Sequence, residues 1–163
     1  MLLLLFSSYK FLDTCALHST FHNIIYNIDT KRILTFMESK WTTFSEINPE
    51  HEYCAFANVG ERKSVWTFFS AAMRARKMAQ EMKTTKGIIG LRGRLGFLNR
   101  EVAIVGVFEN EDVLNEFAHT GQHAKCMEET KSMLKVMKTA KWSVFGSSLP
   151  PTIEDAIART RNK

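Results

Sequence analysis

The segment most informative about the fold is Val107-Phe-Glu-Asn-Glu-Asp-Val-Leu-Asn-Glu-Phe-Ala-His-Thr-Gly-Gln-His-Ala-Lys-Cys-Met127. An apolar strand ends here in a polar turn, where Asn110 is suited to cap a helix and the two acidic residues after it suit the positive end of the helix dipole. Apolar residues at helical spacing follow. Thr120-Gly121 interrupts the helix, and a second helical segment is predicted to run to about Met137. The stretch therefore predicts a strand that leads into a two-part helix.

The sequence around this stretch supplies the other elements of a small domain. Apolar residues over 65–82 recur at helical spacing, which predicts one buried stripe on a helix. Two apolar runs joined by Leu98-Asn99-Arg100 are typical of a β-hairpin. The predicted strands are 53–59, 88–97, 101–108 and 141–145, and a short terminal helix begins at Thr152. The order β-α-β-β-α-β predicts a ferredoxin-like α+β fold.

The strand over 101–108 is apolar on both of its faces. Val102, Ile104, Val105 and Val107 cannot all point to one side, because side chains alternate along a strand. The two helices of the fold cover one face of the sheet, so the other face must be buried on something else. A second copy of the chain is the simplest cover. We therefore expect a homodimer in which two sheets form an α+β barrel.

The composition of the sequence limits the number of domains and the compartment that the chain suits. It has 163 residues, 45% hydrophobic and 24% charged, which suits a single domain over 37–163. Residues 1–36 carry no coherent period and are predicted to be a poorly ordered extension, with a targeting segment as the alternative. The apolar run at 1–6 is too short to span a membrane. Three widely spaced cysteines favour a reducing, cytoplasmic compartment.

Residues 53–151 resemble the dimeric α+β-barrel superfamily of antibiotic-biosynthesis-monooxygenase-like proteins, and within it the spheroidene-monooxygenase-like members. The residues that carry the resemblance are the run from Val107 to Leu114, the run Phe117-Ala-His-Thr-Gly-Gln-His-Ala, the segment from Trp142 to Pro151, and the helical stretch Ala71-Ala-Met-Arg-Ala-Arg. Where many relatives have Trp, this chain has Phe108. The resemblance implies a small oxygenase-like enzyme that acts on an apolar or aromatic molecule, or a non-catalytic binding or structural protein on the same fold.

His123 is the candidate catalytic residue. It lies near the start of a helical segment, whose positive end favours a neutral imidazole that can accept a proton or bind haem iron. The alternative is a packed histidine that fixes the helix break. His119 stands four residues earlier, but Gly121 interrupts the helix and no third ligand is evident, so no metal site is predicted. The cofactor is therefore expected to be either haem or none.

Further candidates for substrate binding come from the strands and the first helix. Arg92 and Arg94 alternate with glycines, which leave room for a ligand, and an arginine there can hold an anionic oxygen. Trp66 and Phe69 can line an apolar pocket, and the many methionines soften the core for a bulky ligand. The resemblance adds Asn58, since relatives without a cofactor use a substrate that itself activates oxygen. Each of these residues has a purely structural alternative.

Nucleic acid is the rival partner, because the RNA-recognition motif shares this order of elements and the net charge is +5. That motif needs aromatic residues on its third strand. Here the strand reads Arg100-Glu-Val-Ala-Ile-Val-Gly-Val-Phe108, which offers no stacking platform. We therefore expect a small apolar molecule as the partner, with no nucleic acid and no membrane span. No phosphate loop or nucleophile elbow supports a hydrolase or a dehydrogenase.

Overall fold

A computed structural model describes residues 36–119 and 121–161, without the side chains of residues 121–126. These residues lie in the unit Leu34–Lys163. The prediction that residues 1–36 form an extension concerns residues almost entirely outside the described ranges and stays a prediction. Phe36, the last of them, is the first residue of a strand.

The described residues form one antiparallel sheet, three helices on one side of it and a fourth on the other. The predicted β-α-β-β-α-β core is confirmed, and two short strands precede it. The elements are β1 (Phe36–Glu38), β2 (Thr42–Thr43), β3 (Glu52–Arg62), a 3₁₀ turn (Val65–Thr67), α1 (Phe68–Met82), β4 (Ile88–Gly96), β5 (Glu101–Phe108), α2 (Glu111–His119), α3 (Gly121–Met133), β6 (Leu134–Phe145), a second 3₁₀ turn (Gly146–Ser148) and α4 (Ile153–Arg161).

The strands follow the order β1-β4-β5-β3-β6, and β2 also pairs with β4. In the core this places the two inner strands, β3 and β5, side by side, as in the ferredoxin-like arrangement. Polar side chains cap the first 3₁₀ turn and α2, and the sequence predicts the second of these caps. The Ser64 hydroxyl accepts a hydrogen bond from the Trp66 amide at 3.2 Å. The Asn110 side chain accepts one from the Val113 amide at 2.9 Å.

The last strand is longer than the sequence predicts. The second part of the helix ends at Met133, and the residues from Leu134 onward form β6. The expected helix to about Met137 and the expected strand over 141–145 are therefore wrong at this boundary. The reason is tertiary, because β3 is 11 residues long and β6 pairs with all of it, from Glu52 opposite Phe145 to Arg62 opposite Leu134. A helix there would leave half of β3 without hydrogen-bond partners on that side.

The two faces of the sheet have different covers. We call the side that carries helices α1, α2 and α3 the α1 face, and the side that carries α4 the α4 face. On the α4 face, Ile153 and Ala156 of α4 pack against small side chains of the inner strands, namely Ala57, Ala103 and Val105, all 0% exposed. A second cluster extends this layer with Tyr53, Ala55, Ile89 and Val107, against which Trp41, Ile47 and Leu149 pack.

The chain therefore covers both faces of its own sheet. A second copy is not needed to bury the second face, because α4 and the segments around Trp41 and Leu149 already enclose Val105 and Val107, and the homodimer stays a prediction. The terminal helix was predicted as an element, but its docking position was not. Within the described ranges, no helix is long and apolar enough to cross a bilayer.

Candidate functional site

An apolar cavity of about 420 Å³ lies on the α1 face. Its volume falls in the range of about 300–1,000 Å³ that is common for small-molecule sites. Phe56, Asn58 and Ile104 contribute from the sheet, and alanines of α1 contribute from the helix side. Six methionines complete the lining: Met37, Met78, Met82, Met127, Met133 and Met137.

The sequence of α1 explains why the space exists. Ala72, Ala75 and Ala79 recur along the side of the helix that borders the cavity, and their short side chains do not reach the sheet. At one end of the same face the gap is closed by a cluster of Met82, Ile88, Phe108, Leu114 and Phe117. Methionine side chains are unbranched and flexible, so the wall that they form can adapt to a bound molecule.

Asn58 is the polar group on the cavity wall that the sequence singled out. It stands on β3 and is half-buried, and its Oδ1 accepts a hydrogen bond from the Thr139 hydroxyl at 2.7 Å. This bond fixes the orientation of the amide. The amide nitrogen then has hydrogens available to donate to an oxygen of a bound molecule.

Arg62, the last residue of β3, also lines the cavity and is almost completely enclosed, with 1% of its surface exposed. Its guanidinium donates to the carbonyl oxygens of Ser64 at 3.0 Å and Phe97 at 3.1 Å, and also to that of Gly96. Nε has no hydrogen-bond partner among the described residues. Burial lowers the pKa of Arg62 and the charge of Arg100 lowers it further, but a guanidinium stays protonated at neutral pH.

Sequence reasoning missed Arg62. It lies in Gly60-Glu-Arg-Lys63, a polar run that suggests an exposed break between strand and helix. In the structure, β3 continues through Glu61 and Arg62, and the hairpin that joins β4 to β5 folds over the guanidinium. No local signal distinguishes this arginine from its charged neighbours.

Trp66 and Phe69 do not line the cavity. Trp66 is 84% exposed and Phe69 is 70% exposed, so both side chains point to solvent at the start of α1. Their neighbour Phe68 turns inward instead, where it packs edge-on against Phe97 with 5.1 Å between ring centroids. The aromatic cluster expected in this region is therefore divided between the core and the surface.

Arg92 and Arg94 stand on a strand that borders the cavity, but their side chains lie on the α4 face, opposite Val105 and Ala103, where carboxylates hold their guanidinium groups. Arg92 Nη2 donates to Glu38 at 3.1 Å, and Arg94 donates to Glu38 at 2.8 Å and also to Glu154 of α4. Burial alone would lower the pKa of Arg94, but the hydrogen bonds to Glu154 and Glu38 raise it above its ordinary value. The expected ligand space beside the glycines is partly filled as well.

Gly90 shows how that space is filled. A Cβ at this position would stand 2.2 Å from the indole of Trp41. Glycine is therefore required here for the close approach of an aromatic side chain of the same chain, which packs on the α4 face. In β4 the alternating residues therefore have structural roles: Gly90 makes room for Trp41, and Arg92 and Arg94 form ion pairs.

The structure describes the side chain of His119 but only the backbone of His123. His119 is exposed, and its Nδ1 lies 2.7 Å from the Asn115 carbonyl oxygen of the preceding turn. The backbone of His123 is in α3, as the sequence predicts, but its side chain lies outside the described residues. Among the side chains that are described, His, Cys, Asp and Glu form no cluster that can hold a metal ion.

The chain shares its ferredoxin-like α+β fold with solved structures of proposed monooxygenases. No family model matches the sequence. No curated protein sequence matches it either.

Three solved structures illustrate the likeness. A proposed monooxygenase from Fusobacterium nucleatum aligns with a TM-score of 0.55 and 12% identity, over 76% of this chain and 63% of that protein. One from Lactobacillus acidophilus aligns with a TM-score of 0.51 and 15% identity, over 65% of this chain and 51% of that protein. A proposed antibiotic biosynthesis monooxygenase from Nitrosomonas europaea has a TM-score of 0.50 and 9% identity, over 66% and 99% of the two chains. This chain thus spans less than two thirds of the first two proteins, and the likeness is one of fold.

Proposed function

We propose that this protein binds a small apolar or aromatic molecule in the cavity on the α1 face and acts on it as an oxygenase-like enzyme. The observation that carries the proposal is the cavity itself. This space of about 420 Å³ between a helix and a sheet is partly open to solvent and has the size and apolar lining of a small-molecule site. The similarity in fold to proposed monooxygenases supports the choice of reaction class.

The described residues suit a reaction in which the substrate contributes most of the chemistry. The cavity wall is apolar, and Asn58 is placed to donate a hydrogen bond to a substrate oxygen. Such a bond favours an oxygen that gains negative charge, as in an enolate or a phenolate. An electron-rich substrate of this kind can reduce oxygen directly, as the resemblance to cofactor-free relatives implies.

Haem is the alternative to a cofactor-free reaction that the sequence leaves open. The described residues that line the cavity include no histidine, cysteine or tyrosine, which are common ligands of haem iron. The side chain of His123 lies outside the described residues. The lining does include methionine, which can ligate haem iron opposite a histidine, and no step of the proposed reaction passes through haem.

The test separates binding from catalysis. The neutral fluorophore N-phenyl-1-naphthylamine should bind with one site per chain, and Ala79→Leu, which fills the cavity, should weaken that binding at least about tenfold. Ala158→Leu places the same change on an exposed position of α4 and should leave binding unchanged. An electrode should then record oxygen uptake with easily oxidised naphthols that is faster for the wild type than for Ala79→Leu.

The outcomes divide the two candidate functions. Binding without oxygen uptake would favour the non-catalytic ligand-binding protein that the sequence also permits. If the fluorophore does not bind, both candidate functions are contradicted. The homodimer and the cytoplasmic location belong to this proposal as predictions. A dimer would have to form through a surface other than the α4 face, since that face is already covered.

A further inference from the structure

The charged side chains that border the cavity on the α1 face are cationic: Arg62, Arg74 and Arg76. Arg92, Arg94 and Glu38 belong to strands that border the cavity, but their side chains lie on the α4 face, where they pair with one another and with Glu154. Of the three arginines on the α1 face, Arg74 pairs with Glu129.

Arg62 and Arg76 have no carboxylate partner among the described residues. Arg76 is exposed. Arg62 is enclosed, and all of its described hydrogen bonds go to uncharged oxygens of the backbone and of Thr67. A buried cation is normally paired with an anion, because neutral oxygens offset only part of the loss of hydration.

The apolar wall and the unpaired cations together select the chemistry of the ligand. From them we infer that the cavity takes an amphipathic anion, with an apolar chain or ring among the methionines and a carboxylate beside Arg62. The orphaned Nε–H of Arg62 is the donor that would meet the carboxylate, and the exposed Arg76 would attract the anion. This inference rests on the proposed function, because it names the class of molecule that the same cavity binds.

The experiment compares three probes that share a ten-carbon chain and differ in head group. Decanoate, decan-1-ol and decyltrimethylammonium, each below its micelle-forming concentration at pH 7.5, compete with N-phenyl-1-naphthylamine for the wild-type protein. We expect decanoate to bind at least about tenfold more tightly than decan-1-ol, as a charge-assisted hydrogen bond implies. The cationic probe should bind most weakly of the three.

Variants then assign the preference to particular residues. Arg62→Met should reduce the advantage of decanoate over decan-1-ol to less than about twofold, and Arg62→Lys should keep part of it. If Arg62→Met does not fold, Arg76→Gln still tests whether positive charge beside the cavity favours an anion. We expect this variant to bind decanoate about two- to fivefold more weakly and to bind the other two probes as the wild type does. Arg161→Gln, on an exposed arginine of α4, is the matched control and should change nothing.

Each result decides one of the two proposals. Equal binding of decanoate and decan-1-ol, or tighter binding of the alcohol, overturns the inference and leaves the apolar site intact. A failure of all three probes and of the fluorophore to bind overturns the proposed function as well. A preference for decanoate that survives in folded Arg62→Met and in Arg76→Gln overturns the assignment to these arginines.

Discussion

The two faces of the sheet use the same strands for opposite purposes. On the α4 face, Ala57, Ala103 and Val105 present short side chains, and Ile153 and Ala156 fill the space above them. On the α1 face, the strands carry larger or polar side chains such as Phe56, while the helix above them carries alanines, and a cavity remains. The strands of the α1 face also include Gly93 and Gly106, so small residues meet small residues there and a space remains, whereas on the α4 face Ile153 fills the space above the alanines.

This difference indicates how the domain can tolerate its cavity. An apolar void lowers the free energy of unfolding, because the atoms that line it lose contacts on one side. On the α4 face the cluster around Ile153 is fully buried, and the ion pair between Arg94 and Glu154 holds α4 to β4. We infer that the α4 face supplies stability and the α1 face supplies function. The following predictions test that division.

The largest effect is expected from the α4 face. Ile153 is 0% exposed and contacts the small residues of β3 and β5. Ile153→Ala should lower the free energy of unfolding by about 2–5 kcal/mol, since the space left by the side chain cannot be filled by neighbouring alanines. Chemical denaturation monitored by circular dichroism measures this loss.

The control for that change is Val136→Ala, which shortens another β-branched side chain that is 48% exposed on β6. It should cost less than about 1 kcal/mol. A loss of similar size in both variants would contradict tight docking of α4. If Ile153→Ala also converted the protein to a dimer in light scattering, the α4 face would be a potential subunit interface.

The second prediction places the same enlargement on each face. Ala156→Leu adds carbon atoms to a position that is 0% exposed, and it should destabilise the protein by about 1–3 kcal/mol through overpacking. Ala79→Leu adds them beside the cavity, so it should be neutral or raise the free energy of unfolding by about 0.5–2 kcal/mol. Thermal denaturation of the two variants side by side measures the difference. Equal destabilisation would mean that the α1 face has no usable space.

The smallest effect is expected from the ion pair between α4 and β4. The hydrogen bond from Arg94 holds the pKa of Glu154 below its ordinary value. A lowered folded-state pKa gives stability that is present above the unfolded pKa of about 4.3 and is lost as the pH falls through the folded pKa. Glu154→Gln should therefore destabilise the protein at pH 7 and lose this effect at acid pH.

Solvent screens this pair, because the Glu154 side chain is 69% exposed, so the difference at pH 7 should be less than about 1 kcal/mol. Urea denaturation at pH 7 and at pH 3 provides the measurement. Glu50→Gln removes an exposed carboxylate that forms no ion pair with the described residues, and serves as the control. A Glu154→Gln protein that is equally destabilised at both pH values would show that the effect is one of packing.

The sequence predicted the elements whose signals are local. The helical spacing before Met82, the hairpin of β4 and β5 and the capping Asn110 are all visible within a few neighbouring residues. The boundary between α3 and β6 is not, because the residues after Met133 suit either a helix or a strand, and pairing with β3 decides between them. The short strands β1 and β2 have no period to detect.

The candidate site was predictable in kind but not in detail. The abundance of methionine predicted an adaptable apolar wall, and methionines line the cavity, but Met73 of α1 is 67% exposed. Arg62 was missed because the hairpin that encloses it comes more than 30 residues later in the chain. The cover of the α4 face was missed for a similar reason, since α4 is the last element of the described chain and docks on strands made much earlier.

The pairing of β3 with β6 also sets the order in which the domain can fold. Tyr53 lies opposite Val144, so this ladder closes a loop of about 90 residues, whereas β4 and β5 pair as a local hairpin. Contacts between distant parts of a chain form slowly, and a nascent chain emerges N-terminus first. During synthesis on the ribosome, one edge of β3 therefore has no strand to pair with until β6 has emerged. The alanines and valines of the inner strands stay uncovered for longer, until α4, the final helix of the described chain, has been made.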